Sequence, residues 1–455
     1  INCRGDVLLD EFNKPLYLIG CVNEIGKRQK ADNISGLLRE PSLEEYVSSK
    51  SKNNITGYFM QIGIDDFEEI NGRFGLKCGD EILKQFSRCM QSCINENQKI
   101  YELGNGRFII MDLANHTKED ILELYDELKK SVEVALEESD YRIVYTISVG
   151  IVEIDKEMKD YDTLIKYSEF ALNEAKKKGK NSCYFFTQDK YKQFIRRREI
   201  RVGLQNAVDH NFKNFDVYYQ PIIDIHTRNL IGAEALMRFK MKRNEQIEFV
   251  SPAEFIPILE ESGLIIPTGR WILRQAVACC KKWQEFIPEF KVNVNLSYVQ
   301  IIKSRILDEI KQALKDYNLK PALLGIEVTE SGYLENTYHY KKLWSSLKEE
   351  GITLVLDDYG TGYSNAYRLS NLTPHYIKID RVLTQKALSS NYERSILIYI
   401  IEMAHSLKLN VCIEGVETEE ELQEIKKLNP DYIQGYLFGK PAPEDEFYNR
   451  QIKKK

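Results

Sequence analysis

The stretch that decides the fold is ITLVLDDYGTGYS, Ile352 to Ser364. A short apolar run bounded by turn residues reads as a strand buried on both faces, the kind found in parallel sheets. This one ends on two adjacent acids, Asp357 and Asp358. Gly360 and Gly362 follow, and two glycines so placed allow a sharp turn and close backbone approach. A strand that delivers a pair of carboxylates into a glycine-containing loop looks like one wall of a site with a loop over it.

Working outward, the same rhythm recurs in DVYYQPI, LIGAEALMRF, VNVNLS, LLGIEVTES, YIKID, VCIEGVE and YIQGYLFG, most of them ending on a polar or acidic residue, with helical patterns between most of them. Strand–helix alternation over roughly 250 residues is the footprint of a (β/α)8 barrel, whose active site gathers at the C-terminal ends of the strands. Glu234, Asn295, Glu327, Asp357, Asp358 and Glu414 all fall at or near strand ends, with Lys378 and Gln434 in the same places on later strands. Any one of these acids has a plainer use as the cap of the next helix. Recurrence strand after strand does not. Like charges packed together repel unless a cation neutralises them, and hard oxygen ligands without histidine point to Mg2+ or Mn2+ rather than zinc. The pair Asp357–Asp358 could let one carboxylate bridge two ions while the other serves one. Two ions about 4 Å apart suit in-line attack on a phosphodiester.

Composition narrows the classes. The chain has 455 residues, room for two or three domains, and its net charge of −6 gives no field that would draw it to nucleic acid. The nine cysteines include no CxxC pair; Cys89 and Cys93 lie four apart and Cys279 and Cys280 are adjacent, without zinc-type partners. Reduced, mostly buried thiols in a cytoplasmic protein are expected. No apolar run reaches the ~18 residues of a membrane span. Ile1 stands where a start methionine would, so the chain reads as a piece of a longer protein, and an upstream membrane anchor stays open.

Ahead of the barrel, strands and helices also alternate from about 31 to 187: GYFMQIGI, a helical DEILKQFSRCMQSCI, a hairpin KIYELGNGRFIIMDL, a helical KEDILELYDELKKSVEVALEE, RIVYTISVGIVEI, and LIKYSEFALNEAKKKGKN. This is an α+β or α/β domain. Residues 188–212 read as a basic helical linker with a solvated charged face. Residues 1–30 hold two short β-like runs, too little to bury a core, and resemble the last hairpin of a PAS sensor domain leading into a signalling segment.

YYQPI, EALMRF, NLS, EVTES, DDYGTGYSN, KID, EGVET and QGYLFGKP occur in order from about 195 to 443, with the barrel domain set at 213–455. Together they resemble the EAL phosphodiesterases, which open cyclic di-GMP to linear pGpG. The resemblance implies a barrel whose first strand runs antiparallel to the rest. It implies that Glu234, Asn295, Glu327 and Asp357 hold one metal, and that Asp357 and Asp358 hold a second with Glu414 near it. Lys378 would hydrogen-bond the attacking water, either as a base that gives up its proton readily or as an orienting group, and Gln434 would support it. Glu330 would anchor the DDYGTGYS loop. Gln220, Leu236 and Arg238 would contact the dinucleotide, Arg238 as a donor fork. Tyr359 stands where Phe is usual and Phe239 where Trp is common, and neither change removes a ligand. A homodimer formed through the barrel domain, near that loop, is a further family expectation.

ISGLLR, IDDFEEINGRFG, CGDEIL, LGNGRF, TISVGI and EAKKKGKN resemble, in order across 31–187, the GGDEF diguanylate cyclase domain. Aligned on Phe108, the catalytic tip becomes Gly104-Asn105-Gly106-Arg107, with Gly106 and Arg107 in place of two acids. Aligned on Phe67, Gly63 stands where the other metal-binding Asp belongs. With three acids missing, cyclase activity is not expected. Asn95-Glu96-Asn97-Gln98 replaces the inhibitory RxxD. Asn71 and Asp80 match the family's guanine-reading pair, and Lys176 and Lys180 its triphosphate contacts. Two readings stay open: a structural relic in which Asp80 caps a helix, or a module that binds GTP without turnover, with Arg107 supplying one of the lost metals' charges. For the whole chain the leading expectation is a metal-dependent cyclic di-GMP phosphodiesterase with a catalytically inactive GGDEF domain as regulatory module, GTP sensing being one of the two readings left open for it. The alternative is a non-catalytic cyclic di-GMP receptor.

Overall fold

The computed structural model describes residues 2–9, 15–23, 31–50, 56–114, 116–137, 143–155, 160–243, 245–329, 337–360 and 374–453. The chain forms two compact units, 1–195 and 196–455.

In the first unit, strand Gly57–Ile64 is buried along its whole length and lies between Arg107–Asp112 and Ile147–Ile154, antiparallel to both. Gln98–Gly104, Leu38–Arg39 and Cys183–Phe185 extend the sheet to six strands. Period-two alternation serves two cores at once. Met60, Ile62, Phe108 and Ile110 face helices Leu76–Cys93 and Lys118–Glu137. Phe59, Ile109, Met111 and Val152 face helices Glu40–Lys50 and Tyr161–Lys177. Both faces covered by helices explains why the strands read as unbroken apolar runs. Strands Asn2–Leu9 and Pro15–Asn23 pair antiparallel as a separate two-stranded sheet.

The second unit closes a barrel of eight strands: Phe215–Asp224, Leu230–Arg243, Lys291–Asn295, Leu324–Thr329, Thr353–Tyr359, Tyr376–Ile379, Asn410–Glu414 and Tyr432–Gln434. The second to the eighth run parallel, and the first pairs antiparallel with both the second and the eighth, as the family resemblance implied. Gln246–Val250 extends the second strand as a hairpin. The large core lies between the barrel wall and its helices, built from residues such as Trp283, Phe290, Ile326, Leu354 and Ile413. Inside the barrel the apolar fill is small: Ile222, Val355, Tyr376 and Cys412.

The expectation of a solvated linker at 188–212 is corrected. A helix spans Gln188–Asp209, and Ile200, Leu204 and Ala207, at helical spacing, are buried against Phe215, Phe239 and Phe255. Two of its four arginines are paired: Arg196 with Glu248 and Glu254, and Arg197 with Glu261 at 2.5 Å. The basic run concealed an apolar stripe of only one residue per turn. Seven described cysteines are free thiols, and burial pushes Cys279 and Cys280 up to about 12. No described helix is long and apolar enough to cross a membrane. Leu204→Ala removes a side chain with no solvent exposure and is expected to destabilise the barrel unit by about 2–5 kcal/mol. Chemical denaturation measures this, and a change under about 0.5 kcal/mol would mean that the helix is only a solvated connector.

Candidate active site

Four carboxylates and one ammonium meet at the C-terminal ends of the barrel strands. Alternation along each strand turns Glu234, Asn295, Glu327, Asp357, Lys378, Glu414 and Gln434 to this end. Oxygens of Glu234, Glu327 and Asp357 lie within 4.8 Å of one another, and all three residues are buried. Lys378 Nζ sits among them, 2.6 Å from Glu414 Oε1, 2.8 Å from Glu234 Oε2, 3.1 Å from Glu327 Oε2 and 3.5 Å from Asp357 Oδ1. Amide donors fix two of the acids. Glu234 accepts from Asn295 Nδ2 at 2.7 Å and from Gln434 Nε2 at 2.8 Å, and Glu327 Oε1 accepts from Asn293 Nδ2 at 2.6 Å.

Adjacent residues of a regular strand point to opposite faces, so Asp357 and Asp358 could not both serve one site without a defect. The defect is present: the pairing register shifts between Leu356 and Tyr359, and Asp358 has a φ of 56°. A bulge of this kind re-aims a side chain at a strand end. Asp358 feels both Asp357 and Lys378.

Electrostatics follow from burial. Desolvation pushes the Glu327 carboxyl well up, Asp357 up, Asp358 up to about 6 and Glu414 up to about 8, the neighbouring acids adding to each. Glu234 moves the other way: desolvation opposes its charge, but Lys378, Gln434 and Asn295 together outweigh it. Burial also opposes charge on Lys378, yet Asp357, Glu234, Glu327 and Glu414 hold its pKa well above the ordinary lysine range. Among these side chains Lys378 is the cluster's resident cation; the expected release of its proton concerns an ammonium beside divalent cations. Among the described residues two buried acceptors are without a close hydrogen bond, Gln434 Oε1 and Asp357 Oδ1, the latter approached by Lys378 Nζ at 3.5 Å.

A cavity of ≈ 270 Å3 opens onto the cluster and includes Gln220, Leu236, Arg381 and Tyr436 in its wall. Gln220 Oε1 accepts from Gln434 Nε2 at 3.2 Å. Arg238, desolvated enough to lower its pKa, donates to the Met237 carbonyl at 2.9 Å and lies over the Tyr218 ring. It is not part of that wall. Glu330 and residues 361–373, which hold most of the expected loop, lie outside the described residues. Sequence reasoning missed Asn293, Arg381 and Tyr436. For Asn293 the signal was present, since VNVN places Asn293 and Asn295 on the same strand face.

In the first unit the expected nucleotide residues are only partly assembled. Gly63 pairs across the sheet with Arg107, and a Cβ on Gly63 would lie 3.1 Å from Lys176 Nζ, so the lysine occupies the side of the missing acid. Arg107 pairs with Glu169 at 3.0 Å, and Lys180 with Asp66 at 2.7 Å. At Gly106, with a φ of 69°, a Cβ would meet the Phe67 ring at 2.8 Å, leaving no room for the acid this position carries in active cyclases. Asp80 is corrected as a cap: it sits inside helix Leu76–Cys93, whose N-cap is Gly75. Asn71 Oδ1 is buried without a partner among the described residues, close over Gly79, where a Cβ would meet it at 1.9 Å.

Comparison with known proteins agrees with both units. The EAL domain profile matches residues 201–441, and the diguanylate cyclase GGDEF domain profile matches 30–182. The chain is 32% identical over 399 residues to signaling protein YkoW of Bacillus subtilis, covering 87% of this chain and 48% of that protein. It is 28% identical over 435 residues to the cyclic di-GMP phosphodiesterase PdeR of Escherichia coli, covering 93% of this chain and 64% of that one. The chain thus spans roughly half to two thirds of the length of these relatives. Among solved structures, the PaMucR phosphodiesterase in complex with c-di-GMP is similar with a TM-score of 0.52 and 28% identity, over 55% of this chain and 99% of that one. The EAL enzyme Bd1971 in its cAMP-bound form is similar with a TM-score of 0.53 and 25% identity, over 66% of this chain and 79% of that one. With the barrel, its antiparallel first strand and the profile match in hand, the chain belongs to the EAL domain family, with a GGDEF domain preceding the EAL domain.

Proposed function

We propose that the barrel hydrolyses cyclic di-GMP to linear pGpG. The observation that carries this reading is the buried Glu234–Glu327–Asp357 cluster, whose oxygens lie within 4.8 Å of one another. So many buried acids around one ammonium form a hard-oxygen set that fits divalent cations. Asn295, Asp358 and Glu414 would complete the set for two ions, Mg2+ or Mn2+. Such ions, when bound, supply Lewis-acid stabilisation of charge on the phosphoryl oxygens and the departing 3′ oxygen.

The chain's own residues do the rest. Gln434 and Asn295 fix Glu234, and Asn293 fixes Glu327, so the ligand oxygens are preorganised. Lys378 brings a positive charge into a desolvated site where charge builds during phosphoryl attack, and would orient the water. Gln220 and Leu236 line the entrance, and Arg238 offers a donor fork for phosphate or guanine oxygen. PdeR and the c-di-GMP-bound PaMucR phosphodiesterase support the choice of substrate by resemblance. A receptor without turnover is the weaker reading, because no expected ligand acid is missing. Homodimerisation belongs to the same proposal: Tyr392 and Tyr399, seven apart and exposed on helix Asn391–Ser406, give that helix apolar surface to cover.

For the GGDEF domain we propose GTP binding without turnover. Its support is the orphaned Asn71 Oδ1, an acceptor suited to guanine N–H groups.

Purified protein incubated with cyclic di-GMP and Mg2+ or Mn2+ is expected to yield pGpG, followed by chromatography; no product with either metal would overturn the assignment and leave a receptor. Asp357→Asn is expected to abolish turnover, and near wild-type rates at saturating Mg2+ would contradict its place in both metal sites. Lys378→Ala, checked for an intact fold with metal present, is expected to lower turnover by about 10²–10⁴-fold. A loss under about tenfold would leave Lys378 as a structural counter-ion only. Calorimetry is expected to show GTP binding that Asn71→Ala weakens; no heat at millimolar GTP would reduce the domain to a relic.

A further inference from the structure

The barrel has a second mouth. At the N-terminal ends of the parallel strands, where Lys291, Thr353, Tyr376, Asn410 and Tyr432 open their strands, lies a cavity of ≈ 570 Å3. Lys291, Lys348 and Lys408 all line it, and no carboxylate belongs to its lining among the described residues. Lys291 and Lys408 make no ion pair among the described residues. His375 joins them, and its Nδ1 accepts the Leu354 N–H at 2.9 Å. A neutral imidazole so fixed carries its proton on Nε2, which makes a donor. Burial first, then the charges of Lys348 and Lys291, keep that ring on the neutral side.

Part of the wall is apolar, with Ile222, Ile231 and Leu409. The volume falls in the range of sites for compact organic ligands, and a bare phosphate would leave most of that wall in water. Ammonium groups are point-charge partners for phosphate.

We propose that the N-terminal mouth of the barrel binds a soluble organic phosphate of mononucleotide size, with its phosphate on Lys291, Lys348 and Lys408 and its ring against Ile222, Ile231 and Leu409. The site is distinct from the carboxylate cluster, and its existence does not depend on phosphodiesterase activity. The two share one side chain: Asn293 lines this cavity, donates to Glu327 Oε1 at 2.6 Å, and donates to Tyr376 Oη in the cavity floor.

The test is calorimetric titration of the full chain with AMP in EDTA, which leaves the acidic mouth without cations to attract phosphate. AMP is expected to bind saturably. Binding should weaken by roughly tenfold or more in K291E/K408E, at an unchanged melting temperature, and to a similar degree when adenosine replaces AMP. Both lysines are exposed. Should the double variant melt early, K408Q alone gives the same comparison with a smaller effect. No saturable binding at millimolar AMP, binding that ignores the lysine substitutions, or adenosine binding as tightly as AMP would each overturn the proposal.

Discussion

One ammonium holds four buried carboxylates together, and most of the barrel's polar interior is arranged around that fact. Lys378 is 1% exposed and lies within 3.5 Å of Glu234, Glu327, Asp357 and Glu414. Taken alone, such a charge would be expelled or neutralised, and so would the acids. Together they remain under-compensated, with several carboxyls pushed upward. A barrel mouth that keeps one cation for so many acids is poised to take more positive charge, and the amides of Asn293, Asn295 and Gln434 keep its oxygens in place meanwhile. Deleting one partner of a buried ion pair typically costs about 3–5 kcal/mol, so Lys378 bears on stability as well as on chemistry.

Much of this was legible in the sequence because strand, burial and chemistry coincide in each repeat. Runs such as VLDDYG and KVNVNLS give an apolar strand and place its polar end at the barrel's mouth in one reading. The antiparallel first strand was not legible from spacing; it came only with the family resemblance. The bulge at Asp358 was equally hidden, since nothing in a pair of aspartates says that the backbone turns left-handed between them and the next strand. Lys378 was legible as a site residue, but not its four carboxylate neighbours, because those are set by how the strands meet in space. The basic helix Gln188–Asp209 was misread since charge dominates its composition, while Ile200, Leu204 and Ala207 carry its packing.

In the GGDEF unit, side chains already occupy or flank the positions where the family resemblance places catalytic acids. Its sheet, two cores and hairpin are those of a complete domain, yet the tip has closed over its losses. Lys176 fills the side of Gly63, Phe67 fills the space against Gly106, and Arg107 and Lys180 are paired with Glu169 and Asp66. An acid restored at position 106 would meet the Phe67 ring, one at 63 would lie beside the Lys176 ammonium, and one at 107 would leave Glu169 without its partner. Asn71, whose acceptor stays buried and unanswered, is the residue that does not fit a purely structural account.

The two ends of the barrel differ in sign, and that difference has a structural cause. Inward-facing positions near the strand ends carry Glu234, Glu327, Asp357 and Glu414; at the strand starts the mouth is ringed by Lys291, Lys348 and Lys408 with His375. Between them the usual apolar fill of such a barrel is reduced to Ile222, Val355, Tyr376 and Cys412, and Asn293 crosses this layer to reach Glu327. The basic end was invisible in sequence because its lysines come from a strand start, a helix end and a turn, each unremarkable alone. Asn293 is thus the place where the two ends meet. A shift of its amide on the basic side would alter a hydrogen bond to Glu327, one of the three acids that define the opposite mouth.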